Sequence, residues 1–358
     1  CHAGYITRPV RERSPEIVQK LAREVVRNTG YSELSLVSLS TADYTDVQQT
    51  VGRLSDELRC DGVNVTLPST RVDAFSVAVA DAVNKVRKGS ITLAPEGGSA
   101  RIRRVINKTV SDRDIREAMR AAFRSGYRAV KLYFILGLPT ETDADLQAIA
   151  EKGQWALEIA EEELGRQEAR KVRVTISVSV FVPKPHTPFQ FEPQVTLEEA
   201  RRRQQYIKRF LKDRRIEYKY HESDVSHIEA LLSLGDRRVA DAILRAWQMG
   251  ARFDGWNEHF DYGLWLRACA ESGVDVAFYT YRKKGYGERF AWDHLSPGIS
   301  REWLIDDHRR AMAELEVEDC RWENCDNCGV CMSYNVLPTL KPAGFVGEDE
   351  IAVTDSAG

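Results

Sequence analysis

The chain has 358 residues, 43% hydrophobic and 29% charged, with a formal net charge of −3 and seven cysteines. That length suits a large core and two domains. No window approaches about 18 uncharged apolar residues, which excludes a helical membrane span. The balance of charge gives no general attraction to nucleic acid phosphates.

The first residues run Cys1-His2-Ala3-Gly4-Tyr5-Ile6-Thr7-Arg8-Pro9, and a helix opens at Ser14-Pro15. Ser14 suits an N-cap and Pro15 the first helical position. The loop that should follow a first strand is therefore there and the strand is not. The chain reads as one cut inside a cysteine motif, with Cys1 the last cysteine of that motif. Ile17, Val18, Leu21, Ala22, Val25 and Val26 form an apolar stripe, and Gly30 closes the helix.

Alternation of strand and helix follows. Strands are expected at 34–39, 63–67, 91–94, 129–136 and 172–182. The helices between them carry Val47, Val51, Leu54 and Leu58, then cover 72–86, then start from a capping box at Ser111 and Asp114. Further helices are expected at 143–164 and 196–215. This order implies parallel strands covered by helices, with ligands at the C-terminal strand ends. Residues 216–319 read as a smaller, mostly helical domain rich in aromatics, among them Trp247, Trp256, Trp265, Trp292 and Trp303. Residues 320–334 form a Cys-rich segment, and 335–358 read as a disordered tail.

The cysteine pattern carries chemistry. Cys60 and Cys269 stand alone, whereas Cys320, Cys325, Cys328 and Cys331 fall within twelve positions. Without a secretory signal, such crowding points to a metal in a reducing cytoplasm rather than to disulfides. Short gaps of this kind suit a ferredoxin-type iron–sulfur loop, and four thiolates equally suit a tetrahedral zinc. The four sulfurs are expected to converge. A basic run, from Arg201 to Arg203 and on through Lys208, Arg209, Lys212, Arg214 and Arg215, reads as a solvated helix face. His186 reads as a residue of a Pro-bounded loop, and His259 and His294 have no assigned mechanism.

Four strand-end segments together resemble the radical S-adenosylmethionine (SAM) enzymes. "CHAGYITRPVRERSPE" is similar to the tail of that superfamily's Cys-x3-Cys-x2-Cys loop. "LAPEGGSARIRRVINK" is similar to its ribose-contacting strand end, and "FILGLPTETDADL" to its Gly-x-Pro-Gly-Glu-Thr segment. The loop Ser40-Thr41-Ala42-Asp43-Tyr44 stands where the family uses a polar strand end, with Thr-Ala-Asp in place of Gly-Gly-Glu. "FDGWNEHFDYGLW" and "WDHL" extend the resemblance to an uncharacterised cobalamin-binding-domain radical SAM family.

The resemblance implies an α/β fold. It would be a partial (β/α)6 TIM-like barrel lacking its first strand, over residues 1–215. It also implies a [4Fe–4S] cluster with Cys1 as one of three thiolate ligands, and SAM on the open iron. Reductive cleavage would give a 5′-deoxyadenosyl radical that takes hydrogen from a substrate the sequence does not name. In the same reading Asp43 holds the SAM ammonium, Glu96 bonds the ribose hydroxyls, and Gly137, Leu138 and Pro139 pass the adenine. Partners would be SAM, that substrate and an electron donor, in the cytoplasm. Cobalamin would come only through a missing N-terminal domain. The chain with Cys1 alone is expected to be inactive. Two other readings stand beside this one: an RNA-modifying methylthiotransferase relative, and a metal-stabilised interaction module without chemistry.

Overall fold

A computed structural model describes residues 2–67, 90–321 and 323–340. Cys1, the helix expected at 72–86 and the last part of the tail lie outside these residues. After a short helix α1 (His2–Ile6), α2 spans Pro15–Thr29. Its cap is the expected one: the Ile17 N–H donates to Ser14 Oγ at 3.4 Å, and Gly30 ends the helix at φ 69°. Strand β1 (Glu33–Ser35), helix α3 (Val47–Arg59) and strand β2 (Asn64–Thr66) follow. β1 and β2 pair in parallel and form a two-stranded sheet of their own. Val47, Val51, Leu54 and Leu58 of α3 bury against Val65 as a separate small core.

The larger sheet begins at β3 (Ser90–Glu96). Two helices, α4 (Ala100–Val105) and α5 (Asp112–Arg124), lead to β4 (Ala129–Leu136). Helix α6 (Asp143–Ala169) then precedes β5 (Arg173–Val180), and α7 (Leu197–Lys208) precedes β6 (Ile216–Tyr220). The order is β3-β4-β5-β6, and every pairing is parallel. Parallel neighbours need a crossover connection between them, and each here contains a helix. β4 alternates Val130, Leu132, Phe134 and Leu136 into the main core, where Ile115, Met119 and Phe123 of α5 and Leu146 and Ile149 of α6 meet them. The capping box at Ser111 is formed on both sides, with Asp114 N–H donating to Ser111 Oγ and the Ser111 N–H to Asp114.

Every pairing of the described strands is parallel, in sheets of two and four strands with helices between them, consistent with a partial barrel. Two details differ from the expected layout. Ile216–Tyr220 continues the sheet, with Ile216 opposite Val174, because its alternating side chains suit a half-covered strand beside β5. Helix α7 accordingly stops at Lys208. The stretch from 335 to 340 is hydrogen-bonded rather than loose: Thr339 exchanges backbone bonds with Val10 and Glu12 at 2.9 Å each.

The remaining helices pack beyond β6: α8 (Ser223–Leu234), α9 (Val239–Gln248), α10 (Tyr262–Glu271), α11 (Val276–Thr280), α12 (Arg301–Met312) and α13 (Val330–Tyr334). None of the helices among the described residues is long and apolar enough to cross a membrane. The basic face of α7 is ion-paired, with Arg201 on Asp224, Arg202 on Glu199 and Asp143, and Arg203 on Glu199 and Glu141.

The close approach of two loops makes a prediction. A methyl group at Gly98 would land on the Asp145 carbonyl oxygen and on Ile149. Backbone cannot yield there as a flexible side chain would. Gly98→Ala is expected to destabilise the fold by about 1–3 kcal/mol or more, read as a lower chemical-denaturation midpoint with unchanged slope.

Candidate functional site

At the C-terminal ends of β3 to β6 lies a cleft of about 570 Å³, a size suited to a small ligand. β3 delivers Glu96, β4 delivers Ile135 and Leu138, β5 delivers Ser179 and Phe181, and His221 follows β6. His2 and Tyr5 of α1 line the same space, as do Lys184, Glu229 and Asp307.

Glu96 sits at φ 66°, a left-handed conformation unusual for a residue other than glycine. The register between β3 and β4 shifts just ahead of it, between Leu93 and Glu96. Such an irregularity re-aims a side chain. Burial raises the Glu96 carboxyl above its ordinary range, and Lys108, at 4.0 Å, works against that.

The next residues are locked by two buried groups. Arg103 is fully buried and donates to the Gly97 and Gly98 carbonyls at 3.2 and 3.1 Å and to Val110 O at 2.7 Å. Its charge is matched by Asp112 at 2.5 Å. Asp145, at the start of α6, accepts from Ser99 Oγ at 2.5 Å, Arg101 at 2.5 Å and Thr142 N–H at 2.8 Å. Burial alone would raise the Asp145 carboxyl; Arg101, Ser99 and Thr142 more than offset it and hold it low.

The β4 loop is held in a similar way. The Gly137 N–H donates to the Glu141 carboxylate at 2.6 Å, and Arg203 pairs with that carboxylate at 2.8 Å. Glu141 Oε1 is buried without a hydrogen-bond partner. Burial pushes the Glu141 carboxyl up to about 7, against the pull of Gly137 and Arg203. Of the three residues expected along the adenine, Leu138 lines the cleft. Gly137, at φ 81°, instead presents its α-carbon to Val195.

Asp43 stands elsewhere. It ends a short 3₁₀ turn after β1 and lines a second cleft of about 520 Å³, with Arg8, Leu36, Tyr44 and Arg321. Arg321 lies 3.5 Å from its carboxylate. Among the described residues Asp43 and Glu96 line different clefts, and residues of the segment 2–13 line both.

Cys1 lies outside the described residues; its neighbour His2 faces the Glu96 cleft. Burial and nearby Lys184 lower the His2 pKa. His186 is in a left-handed turn, at φ 54°, with its N–H on Gln190 at 3.1 Å.

The expected convergence of four sulfurs is not met. Cys325 is exposed and Cys328 buried, with Cys320 and Cys331 between. Among the described residues no three His, Cys, Asp or Glu side chains are gathered closely enough to hold a metal ion.

The sequence reading missed Ser179, Lys184, His221, Glu229 and Asp307. The alternation of Ile216–Tyr220 would have pointed to His221, which directly follows that strand. Ser179 lies on β5 and Lys184 in the loop after it, whereas Glu229 and Asp307 face the cleft only through packing of the helices beyond β6.

Residues 1–153 match the sequence model of the Radical SAM superfamily, and that stretch is a radical SAM superfamily domain. A curated relative is an uncharacterized protein of Methanocaldococcus jannaschii, 31% identical over 240 residues, which are 67% of this chain and 50% of the relative. The chain thus spans about half the length of the curated relative it matches. Enzymes of this superfamily in general bind a [4Fe–4S] cluster, SAM and a reductant.

The raised Glu141 carboxyl gives a pH prediction. Its folded pKa, about 7, lies above its ordinary value of 4.5. The folded state then holds its proton more tightly, so this group's contribution is lost as pH rises from about 4.5 towards 7. Glu141→Gln should remove that dependence. Wild-type stability relative to the variant should fall by about 1–3 kcal/mol across that window, measured by urea denaturation at each pH.

Proposed function

We propose that the cleft at the ends of β3 to β6 is a SAM-dependent radical site. Cys1 would supply one of three thiolates to a [4Fe–4S] cluster beside it. The observation that carries the reading is Glu96: an acidic side chain in a left-handed backbone conformation, at the C-terminal end of a parallel strand, facing the cleft that the residue after Cys1 also lines. The superfamily match over residues 1–153 supports it.

When bound, the cluster and SAM supply reductive cleavage to a 5′-deoxyadenosyl radical that takes a hydrogen atom from substrate. The chain's own residues do the rest. Glu96 accepts hydrogen bonds from the ribose hydroxyls. Its backbone is fixed by the Arg103 and Asp145 locks behind it, so the acceptor is already oriented before ligand arrives. Leu138 gives an apolar wall for the adenine, and the loop from Gly137 to Pro139 is tied down by Glu141.

Ile135, Leu138, Phe181 and Phe189 keep water from the centre of the cleft. Lys184, His221, Ser226 and Glu229 lie on the β6 side, where a polar substrate would meet both donors and acceptors. Asp43 is the weaker candidate for the SAM ammonium, because Arg321 already stands against its carboxylate.

The narrower kinship, with the cobalamin-associated branch, rests on the segments "FDGWNEHFDYGLW" and "WDHL" beyond the matched domain. No cobalamin site is assigned to residues of this chain.

In protein reconstituted with its cluster without oxygen, Glu96→Ala should weaken SAM binding by about 1–3 kcal/mol, the usual cost of a charge-assisted hydrogen bond. Isothermal titration with SAM reads this directly. Unchanged affinity in Glu96→Ala would move the cofactor away from this cleft.

A further inference from the structure

The segment behind Cys1 touches more than the cleft. Its other side packs on the Cys-rich segment near the end of the chain. Tyr5 joins Ile299, Trp303, Leu304, Cys328 and Val330 in one apolar cluster, and its hydroxyl donates to Asp307 Oδ2 at 2.9 Å. The Arg8 guanidinium lies over the rings of Tyr5 and Trp303, 5.1 and 4.9 Å from their centroids. It also meets Asp326 Oδ2 at 3.4 Å and stands beside the Cys328 thiol. Trp303 Nε1 donates to the Asp326 carbonyl at 2.8 Å, and the Ser300 N–H to the Cys328 carbonyl at 3.0 Å.

Three features of this junction call for a cation. The turn Cys325-Asp326-Asn327-Cys328-Gly329 is already bent as a ligand turn. The Asn327 N–H donates to Cys325 Sγ at 3.4 Å, and left-handed Asn327 (φ 55°) and Gly329 (φ 96°) flank Cys328. A backbone N–H aimed at sulfur stabilises a thiolate, the form that binds metal. Asp326 is a second feature: its side chain is 8% exposed, and its Oδ1 is buried without a hydrogen-bond partner. An orphan acceptor of this kind is costly unless a missing group satisfies it. The third is the balance of charge. Cys320 and Cys331 both lie within electrostatic range of Cys328. Arg8 stands against Asp326 and the Cys328 thiol and acts on Cys320.

We propose that Cys320, Cys325, Cys328 and Cys331 hold a soft metal centre, one zinc ion or one iron–sulfur cluster, and that Arg8 clamps the segment 2–8 to it. Cys328 is the fixed point, buried in the Trp303 cluster. Cys325 is exposed, and on this proposal metal binding draws it, Cys320 and Cys331 towards Cys328. Four thiolates around zinc carry a net negative charge, as does a thiolate-bound cluster, and a buried negative centre needs a paired cation. Arg8 is in place, stacked and hydrogen-bonded, on the segment that leads from Cys1 to α2. Filling the centre would then order the entrance of the cleft without touching it. Arg8 acts as a positioning residue.

The test uses the full chain, stripped of metal under reducing, oxygen-free conditions. It does not involve SAM, so its failure is separate from failure of the SAM site. Zinc alone is titrated first, and ferrous iron with sulfide in a second arm. Zinc saturation without visible absorption in the iron arm identifies a zinc site, and thiolate-to-iron absorption identifies a cluster. The arm that fills the site should show a single high-affinity centre that Cys328→Ser with Cys331→Ser abolishes, leaving Cys60 and Cys269 as internal controls. If the double variant does not fold by circular dichroism, Cys331→Ser alone should still lower affinity at least about tenfold.

Arg8→Gln should shorten metal retention against a chelator by about 10–100-fold, the usual effect of removing a partner of the ligands; Arg8→Lys should recover part of it. Amide hydrogen exchange over residues 3–8 should slow on metal loading in wild type and not in Arg8→Gln. Metal uptake indifferent to the cysteine replacements would overturn the site. Exchange at 3–8 that ignores metal would overturn the clamp.

Discussion

The mouth of the sheet depends on one buried carboxylate, Asp145. It begins α6, yet it bonds back to Ser99 and Arg101 on the loop from β3 and to Thr142 on the loop from β4. Two loops that carry the candidate ligand contacts are thereby joined at one atom pair. Its cost of burial is met by three kinds of donor: a hydroxyl, a guanidinium and a backbone N–H. Gly98 belongs to the same constraint, since no side chain fits between its backbone and the start of α6. Arg103 completes the arrangement from below, holding the Gly97 and Gly98 carbonyls with a charge that Asp112 and, in turn, buried Lys152 share.

The left-handed conformation of Glu96 follows from that rigidity. A strained residue persists only where its surroundings over-determine it. Here the strand register shifts just before it and the glycine pair is pinned just after it. Glu141 shows the other face of the same economy. It fixes Gly137 and meets Arg203, but one of its oxygens has no partner, and its carboxyl is held near neutrality by burial. The β4 loop is thus tied through a carboxyl that burial holds above its ordinary range, whereas the β3 loop is tied through Asp145, whose donors hold it below its own.

The segment 2–13 connects what the two sheets leave apart. His2 and Tyr5 line the cleft of the four-stranded sheet, and Arg8 to Arg13 line the cleft of the two-stranded one. Glu12 and Val10 also bond Thr339, so the beginning of the chain is laced to residues near its other end. A site at the mouth of the sheet is for this reason not a property of the first 153 residues alone: Asp307, Ala311 and Leu315 also close it.

Local signals were legible in the sequence wherever a few neighbouring residues settle the outcome. The Ser14 cap and Gly30 stop, the Ser111–Asp114 box, the apolar run of β4 and the polar loop at Glu96 all appear where their patterns put them. The superfamily, too, could be read from strand-end motifs, because chemistry restricts residue types at those ends. What the sequence could not decide were relations between distant segments. Asp43 and Glu96 look equivalent as acids at strand ends, but their strands belong to different sheets, and Arg321, which stands against Asp43, lies 278 residues away. The strand at Ile216–Tyr220 was hidden by its brevity and is fixed only by its pairing with β5. Four cysteines close in sequence could be seen as a group, but their separation in space depends on what each packs against. Cys328 is drawn into the Trp303 cluster while Cys325 stays in solvent, and burial of that kind is set by tertiary contacts rather than by spacing along the chain.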